Sequence, residues 1–229
     1  MGSRHGFIYA HPDDETFLSG CLIRRLADEG EPPVLLLATR GDAGRQGLER
    51  AKNRQELAEL REQEMAVAAD ILGIAAVEHL KWPDGQLDEV DFGTLVQGVI
   101  SFIQRHEVEI VYSFAEDGGN GHRDHIAISK ATTAAVLSGA CPSVRKLYYA
   151  NSPFIREKGL KPSIMIDTES MWPVKAAALR AHETQHVTIN RTFGNLVDFP
   201  EERRWEAFVL GWQDGVLWPE REEVESQCP

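Results

Sequence analysis

The sequence predicts an α/β protein of three layers, a mostly parallel sheet with helices on both faces, on three observations. Apolar runs of strand length alternate with segments of helical period through the first 151 residues, the pattern of consecutive βα units. One run, Val34-Leu35-Leu36-Leu37-Ala38-Thr39, is continuously apolar, as strands covered on two faces are. Glycine-rich stretches follow the second and fourth runs, at the strand ends where open α/β sheets bind ligands.

Residues 7–10 make the first predicted strand. From Thr16, the positions Phe17, Leu18, Cys21, Leu22 and Leu26 recur at three and four, one face of a helix that stops at Gly30. Strand 34–39 leads into a loop with Gly41, Gly44 and Gly47. A long helix then runs from about Arg50, carrying Leu57, Leu60, Met65, Ala68, Ala69 and Leu72, and stops at Gly73. Strand 77–82 enters the turn Pro83-Asp84-Gly85. Helix 91–106, strand 109–114, the loop Asp117-Gly118-Gly119-Asn120-Gly121, helix 125–138 and strand 146–151 complete the series. A doubly wound sheet of this kind takes the strand order 3-2-1-4-5, with the first and fourth strands adjacent at the switch point.

Beyond residue 151 the alternation loosens. A strand is expected at 164–168, a helix from Trp172-Pro173 to His186, and an amphipathic segment at 201–213 carrying Trp205, Phe208, Val209 and Trp212. The expectation is a single domain over 1–229, with a core at 1–151 and a C-terminal subregion, 152–229, packed on the same sheet.

Composition bounds the function. The chain has 229 residues, 42% of them hydrophobic, and its 24 Lys+Arg against 36 Asp+Glu give a formal charge of -12. That suffices for a real core and excludes disorder as the main state. The acidic balance excludes a nucleic-acid backbone or an anionic membrane as partner, because either needs a basic stripe. Cys21, Cys141 and Cys228 are far apart with no CxxC pair, so no disulfide framework is expected and a reducing cytoplasm is. The apolar run Phe7-Ile8-Tyr9-Ala10 is too short for a membrane span. Homo-oligomerisation through the tryptophan-bearing C-terminal segment stays open.

Reactive groups concentrate in two places. His11-Pro12-Asp13-Asp14-Glu15 directly follows the first strand; proline keeps His11 extended, and His11 and Asp14, three apart, can face one side. Capping of the next helix would explain one carboxylate but neither the second nor the histidine. His122-Arg123-Asp124-His125 follows the fourth strand. The switch point then brings both clusters to one crevice. Two imidazoles and one carboxylate are a ligand set of hydrolytic zinc and of non-haem iron. The hydrolytic choice is favoured because Asp13 is a spare carboxylate placed to take a proton from water. The histidine left over from ligation, His122, could stabilise an oxyanion or protonate a leaving group, and Asp124 could orient a histidine.

These residues resemble the LmbE-like, or PIG-L, family of zinc-dependent N-acetylglucosaminyl de-N-acetylases. The two clusters carry the likeness, with Gly121 preceding His122. Further matches are Thr39-Arg40-Gly41-Asp42-Ala43-Gly44, Arg61-x-x-Glu64 with Ala68 and Leu72-Gly73, Pro83-Asp84-Gly85-x-Leu87, and Lys175 with His182-x-x-Gln185. The likeness covers about residues 7–186. It implies a Rossmann-like fold, zinc (or another divalent transition metal) held by His11, Asp14 and His125, Asp13 as general base, and a protonated His122 as electrostatic and acid partner. It makes Arg61 and Asp84 candidate sugar contacts. Trp82, at a strand's C-terminal end, is the best placed aromatic for a sugar, the other tryptophans reading as core. Asn120 completes the candidate substrate contacts and stands where the family often has an aromatic; Arg123 stands where it usually has proline.

Each secondary feature has a plainer reading. The loop at 40–47, with Arg40, Asp42 and Arg45, could cradle an anion or be a simple turn. Arg61 could be a surface partner of Glu64. His182 and Gln185 suit a pocket wall better than a catalytic role. The implied activity is removal of acetyl from a small-molecule N-acetyl amino sugar. The alternatives are an amidase for larger acyl or thiol conjugates, and a non-catalytic Rossmann-type ligand-binding protein. No GxGxxG opens the first helix, which weighs against a nucleotide module.

Overall fold

The computed structural model describes residues 2, 4–44, 50–218 and 225–226. Arg45, Gly47, Cys228 and most of the acidic tail lie outside the described residues. The elements are β1 (His5–Tyr9), α1 (Asp14–Asp28), β2 (Val34–Thr39), α2 (Arg54–Leu72), β3 (Ala76–Trp82), α3 (Phe92–His106), β4 (Ile110–Ser113), α4 (Arg123–Leu137) and β5 (Lys146–Ala150). There follow α5 (Pro153–Glu157), β6 (Ile164–Asp167), α6 (Trp172–Ala181), α7 (His186–Phe193), β7 (Trp205–Gln213), β8 (Val216–Leu217) and β9 (Glu225–Ser226).

One sheet carries all the strands, in the order β3-β2-β1-β4-β5-β7-β6-β9, with β8 on β7. Its first five positions are parallel and in the predicted order 3-2-1-4-5. Helices α1, α2 and α6 pack against one another, and α3 packs against α4, so the sheet lies between two helical layers. The fully buried run Leu35 to Ala38 and the wholly buried Phe7 to Ala10 fill the centre, which accounts for their two-sided apolar character. Cys21 and Cys141 are buried free thiols. Among the described residues no helix is long and apolar enough to cross a membrane.

Two C-terminal elements differ from expectation. The helix expected to reach His186 ends at Ala181, because His182 turns away at φ -82°, ψ 59° to bury its ring; a 3₁₀ turn over 183–185 and α7 follow. The segment with Trp205, Phe208, Val209 and Trp212 spaced like a helical face is the strand β7, antiparallel to both β5 and β6. Packing overrides the spacing: wedged between two strands, β7 buries Phe208, Val209 and Leu210, and at Gly211 a Cβ would fall 2.1 Å from the Tyr149 ring.

A buried ion pair joins this strand to the helices. Glu206 on β7 accepts from the Cys21 and Leu22 amides inside α1, both at 2.9 Å, and from Lys175 Nζ at 2.6 Å. Lys175, on α6, also donates to the Phe17 carbonyl at 3.1 Å. Sheet, α1 and α6 are thus clamped at one point. Substituting Lys175→Met leaves Glu206 charged and short of a partner, and breaking a buried pair costs about 3–5 kcal/mol. Urea unfolding should therefore show a loss of that order; a loss under about 1 kcal/mol would contradict the clamp.

Candidate metal centre

The two reactive clusters meet at the C-terminal ends of the adjacent strands β1 and β4. After β1 the chain makes a tight turn in which the His11 amide donates to Asp14 Oδ2 at 2.8 Å, so that Asp14 enters α1 with its carboxylate folded back on His11. After β4 the glycine loop passes close under α4. At Gly118 (φ 64°) a Cβ would lie 2.7 Å from the Cβ of His125 and 2.9 Å from the Ile126 amide nitrogen, so the loop reaches His125 only with glycine there.

Three donor atoms converge. His11 Nδ1 lies 3.1 Å from His125 Nε2 and 3.4 Å from Asp14 Oδ2, and His125 Nε2 lies 3.3 Å from Asp14 Oδ1. All three residues are buried. The opposite ring nitrogens are committed. His11 Nε2 sits 3.1 Å from both Asp84 Oδ1 and Asp124 Oδ2, and His125 Nδ1 donates to the Gly118 carbonyl at 3.0 Å. Burial alone would lower the pKa of His11, but its hydrogen bonds to Asp124, Asp14 and Asp84 raise it well above the ordinary value. The partners on the far sides of both rings fix their planes, so His11 Nδ1, His125 Nε2 and the Asp14 carboxylate face one another. Donors about 3.3 Å apart suit a tetrahedral ion with bonds of about 2.0–2.1 Å. His11 and His125 meet different oxygens of Asp14 at about that spacing, which makes the three side chains a candidate His/Asp metal-binding group.

A second grouping brings in His122, whose ring nitrogen lies within 4.8 Å of ligand atoms of His11 and His125. His122 caps α4: its Nδ1 accepts from the Asp124 amide at 3.2 Å. Burial, then the neighbouring His11 and His125, lower its pKa. With Nδ1 taken up by the Asp124 amide, Nε2 is the ring nitrogen left to meet a ligand in the cavity. The third grouping, His11 with Asp84 and Asp124, needs no ion, since an imidazole N–H bridging two carboxylates explains it.

The carboxylates divide by environment. Asp124 is fully buried, and besides His11 it accepts from the Gly85 and Leu87 amides at 2.6 and 3.0 Å, pinning the 83–87 turn. Asp84 has both oxygens engaged, by His11 and by the Ala43 amide at 2.8 Å; burial would raise its pKa, but His11 holds it at about 2. Burial would also raise Asp14, which His125 and His11 keep well below the usual range. Asp13 goes the other way: burial pushes it up to about 6 against the pull of Arg61. It stands at the N-cap of α1 without a side-chain cap bond, so the capping reading does not describe it.

A cavity of ≈ 300 Å³ opens over this cluster, walled by Phe17, Ala43, Gly44, Arg61, Asn120, Gln185 and Thr188. Arg61 is buried rather than a surface partner of Glu64: it donates to the Gly41 carbonyl at 3.0 Å and to the Pro12 carbonyl, and pairs with Asp13 Oδ2 at 3.2 Å. Glu64 instead binds Thr184. Asn120 faces the cavity and accepts from the His122 amide at 2.9 Å. Trp82 is not among the wall residues and packs against the main core instead. Sequence reasoning missed Phe17 and Thr188 in the wall, the Phe114 ring stacked on His125 at 4.1 Å, and a buried Glu15–His182 pair. Only the His182-x-x-Gln185 motif signalled any of these.

With this cluster at the switch point of a parallel sheet, the chain falls among deacetylases of the amidohydrolase class by its sequence matches. The chain is a member of the PIG-L family: the sequence profile described as GlcNAc-PI de-N-acetylase matches residues 7–136. A 1D-myo-inositol 2-acetamido-2-deoxy-alpha-D-glucopyranoside deacetylase of Kineococcus radiotolerans is 28% identical over 244 aligned positions, covering 78% of this chain and 68% of that protein. A probable N-acetyl-alpha-D-glucosaminyl L-malate deacetylase 2 of Bacillus cereus is 27% identical over 180 positions, covering 78% and 81%. Among solved structures, N,N'-diacetylchitobiose deacetylase from Pyrococcus horikoshii superposes with a TM-score of 0.70 at 18% identity, covering 91% of this chain and 83% of that one, which shows the shared fold.

Removing the Arg61 guanidinium strips the donors from two buried carbonyls and the partner from Asp13. Arg61→Met should therefore lower thermal stability by about 3 kcal/mol or more. A melting curve superposable on that of the parent would contradict this placement.

Proposed function

We propose that the chain is a zinc-dependent deacetylase that hydrolyses the acetamide of an N-acetylglucosamine-type conjugate to acetate and free amine. The observation that carries this reading is the meeting of His11 Nδ1, His125 Nε2 and the Asp14 carboxylate within 3.1–3.4 Å of one another. A nitrogen and oxygen donor set of three, open toward a cavity, suits zinc in a hydrolytic role. Bound there, zinc supplies Lewis acidity that lowers the pKa of water and polarises a carbonyl.

The chain's own residues do the rest. His11, Asp14 and His125 hold the ion, with Asp84 and Asp124 fixing the ring of His11. Asp13, beside the ligands yet bonded to none of them, accepts the proton of the attacking water. As water oxygen bonds to the acetamide carbon, His122 Nε2–H donates to the carbonyl oxygen that takes up negative charge. Asp13 then delivers its proton to nitrogen as the C–N bond breaks, and acetate and amine leave. Arg61 holds the Asp13 carboxylate in line, and Asn120 with the Phe17, Gln185 and Thr188 wall receives the sugar. The two curated relatives are named for conjugates that share the glucosamine unit and differ in what it is attached to, so the glucosamine end is the part that carries over.

Chelation should abolish acetate release from a panel of N-acetylglucosamine conjugates, and zinc should restore it. His122→Ala should keep its metal by elemental analysis while kcat falls about 100- to 1000-fold, the usual cost of one oxyanion donor. Asp14→Asn should lose the metal. The reverse pattern, metal lost in His122→Ala and kept in Asp14→Asn, would replace the proposed ligand set with His11, His122 and His125.

A further inference from the structure

Asp13 is held in a backbone conformation that side chains resist. Its φ is 121° and its ψ -31°, in the left-handed half of conformational space where glycine is at ease and an L residue is strained. Such strain persists only where the surroundings enforce it. The enforcing contact is local: the Asp13 amide donates to Glu15 Oε2 at 3.0 Å, while the Thr16 and Phe17 amides take up the Asp13 carbonyl at 3.0 and 2.9 Å.

Glu15 has no role in the cluster itself. It is wholly buried, and its other oxygen meets His182 Nε2 at 3.0 Å and the Thr16 hydroxyl at 2.5 Å. His182 is also wholly buried and arrives from the end of α6, where the chain turns away from helical geometry to deliver it. Its remaining nitrogen, Nδ1, has no hydrogen-bond partner, so the ring's polar contacts are all on the Glu15 side.

We propose that Glu15, anchored by His182, is a positioning residue that locks the strained backbone of Asp13 so that its carboxylate points into the cavity. This rests on Asp13 being the general base. The two carboxylates after His11 would otherwise relax together into the first turn of α1. The lock directs Asp14 to His11 and His125 and turns Asp13 to Arg61 and the open side. A displacement of the order of 1 Å at a reacting group costs about 100-fold in rate, so the lock acts on kcat.

The test compares holoenzyme variants by acetate release, metal content and melting temperature. Glu15→Ala should lower kcat about 100-fold, with KM and metal content at parental values. Glu15→Gln should recover most of kcat, because its carbonyl still accepts from the Asp13 amide and its NH₂ faces His182 and Thr16, which can exchange donor and acceptor roles. Independently of activity, Asp13→Gly should melt above Asp13→Ala, since strain at the Ala Cβ outweighs the unfolded-state entropy that glycine adds, and that gap should close or reverse when Glu15→Ala is added to both. If Glu15→Ala keeps kcat within about threefold while Asp13→Asn is inactive, the lock is refuted and the base assignment stands. If Asp13→Asn turns over like the parent, the base assignment itself fails. Should Glu15→Ala not fold, equal melting of Asp13→Gly and Asp13→Ala overturns the proposal.

Discussion

Two imidazole nitrogens, His11 Nδ1 and His125 Nε2, meet at 3.1 Å with the buried Asp14 carboxylate against both. Without a cation among them only a shared proton can hold such a group together, and His11 is the ring whose pKa its carboxylate neighbours raise. The structure spends much of its polar bonding on holding these groups in place. Asp84 and Asp124 hold the far side of His11, the Gly118 carbonyl holds the far side of His125, and the Phe114 ring lies 11° from coplanar with His125. Each partner removes a freedom, of tautomer or of ring rotation, that would let the group relax.

Those partners come from the segments that follow β3 and β4 at the C-terminal edge of the parallel sheet. Asp84 follows β3, Gly118 follows β4, and Asp124 opens α4. The switch point explains why they can meet: β1 and β4 are neighbours although β2 and β3 intervene in the chain. The region after β5 contributes as well. Its strand β7 anchors α1 through Glu206, and the turn after α6 brings His182 beneath Asp13 and Gln185 into the wall. The first turn of α1, which carries three of the residues at issue, is thus fixed from both halves of the chain.

Much of this was legible in the sequence. The order of the first five strands followed from alternation and the switch-point rule, and the meeting of the His11–Glu15 and His122–His125 clusters in one crevice followed from that order. What escaped was of two kinds. Trp205, Phe208, Val209 and Trp212 recur at three and four, yet form a strand, because the segment is wedged between β5 and β6 and buries consecutive residues, Phe208 to Gly211, so its period carries little information. The pairs Glu15 with His182 and Lys175 with Glu206 join residues remote in sequence, and nothing local marks a buried charge whose partner lies 167 residues away. Arg61, which the likeness already marked as a candidate sugar contact, kept a plainer reading as a surface residue of α2, since its helical neighbour Glu64 disguised its inward face.

Asp13 and Asp14 show how far environment decides role. They are adjacent, chemically identical and both buried, and burial alone would raise the pKa of each. Asp14 faces two imidazoles and falls well below the usual range; Asp13 faces a single guanidinium, already shared with two carbonyls, and rises to about 6. In the proposed mechanism the carboxylate kept charged serves as the ligand, and the other, able to take and return a proton, as the base. The chain separates them by the turn of the backbone between them, so the strained φ of Asp13 is the geometric origin of that chemical division.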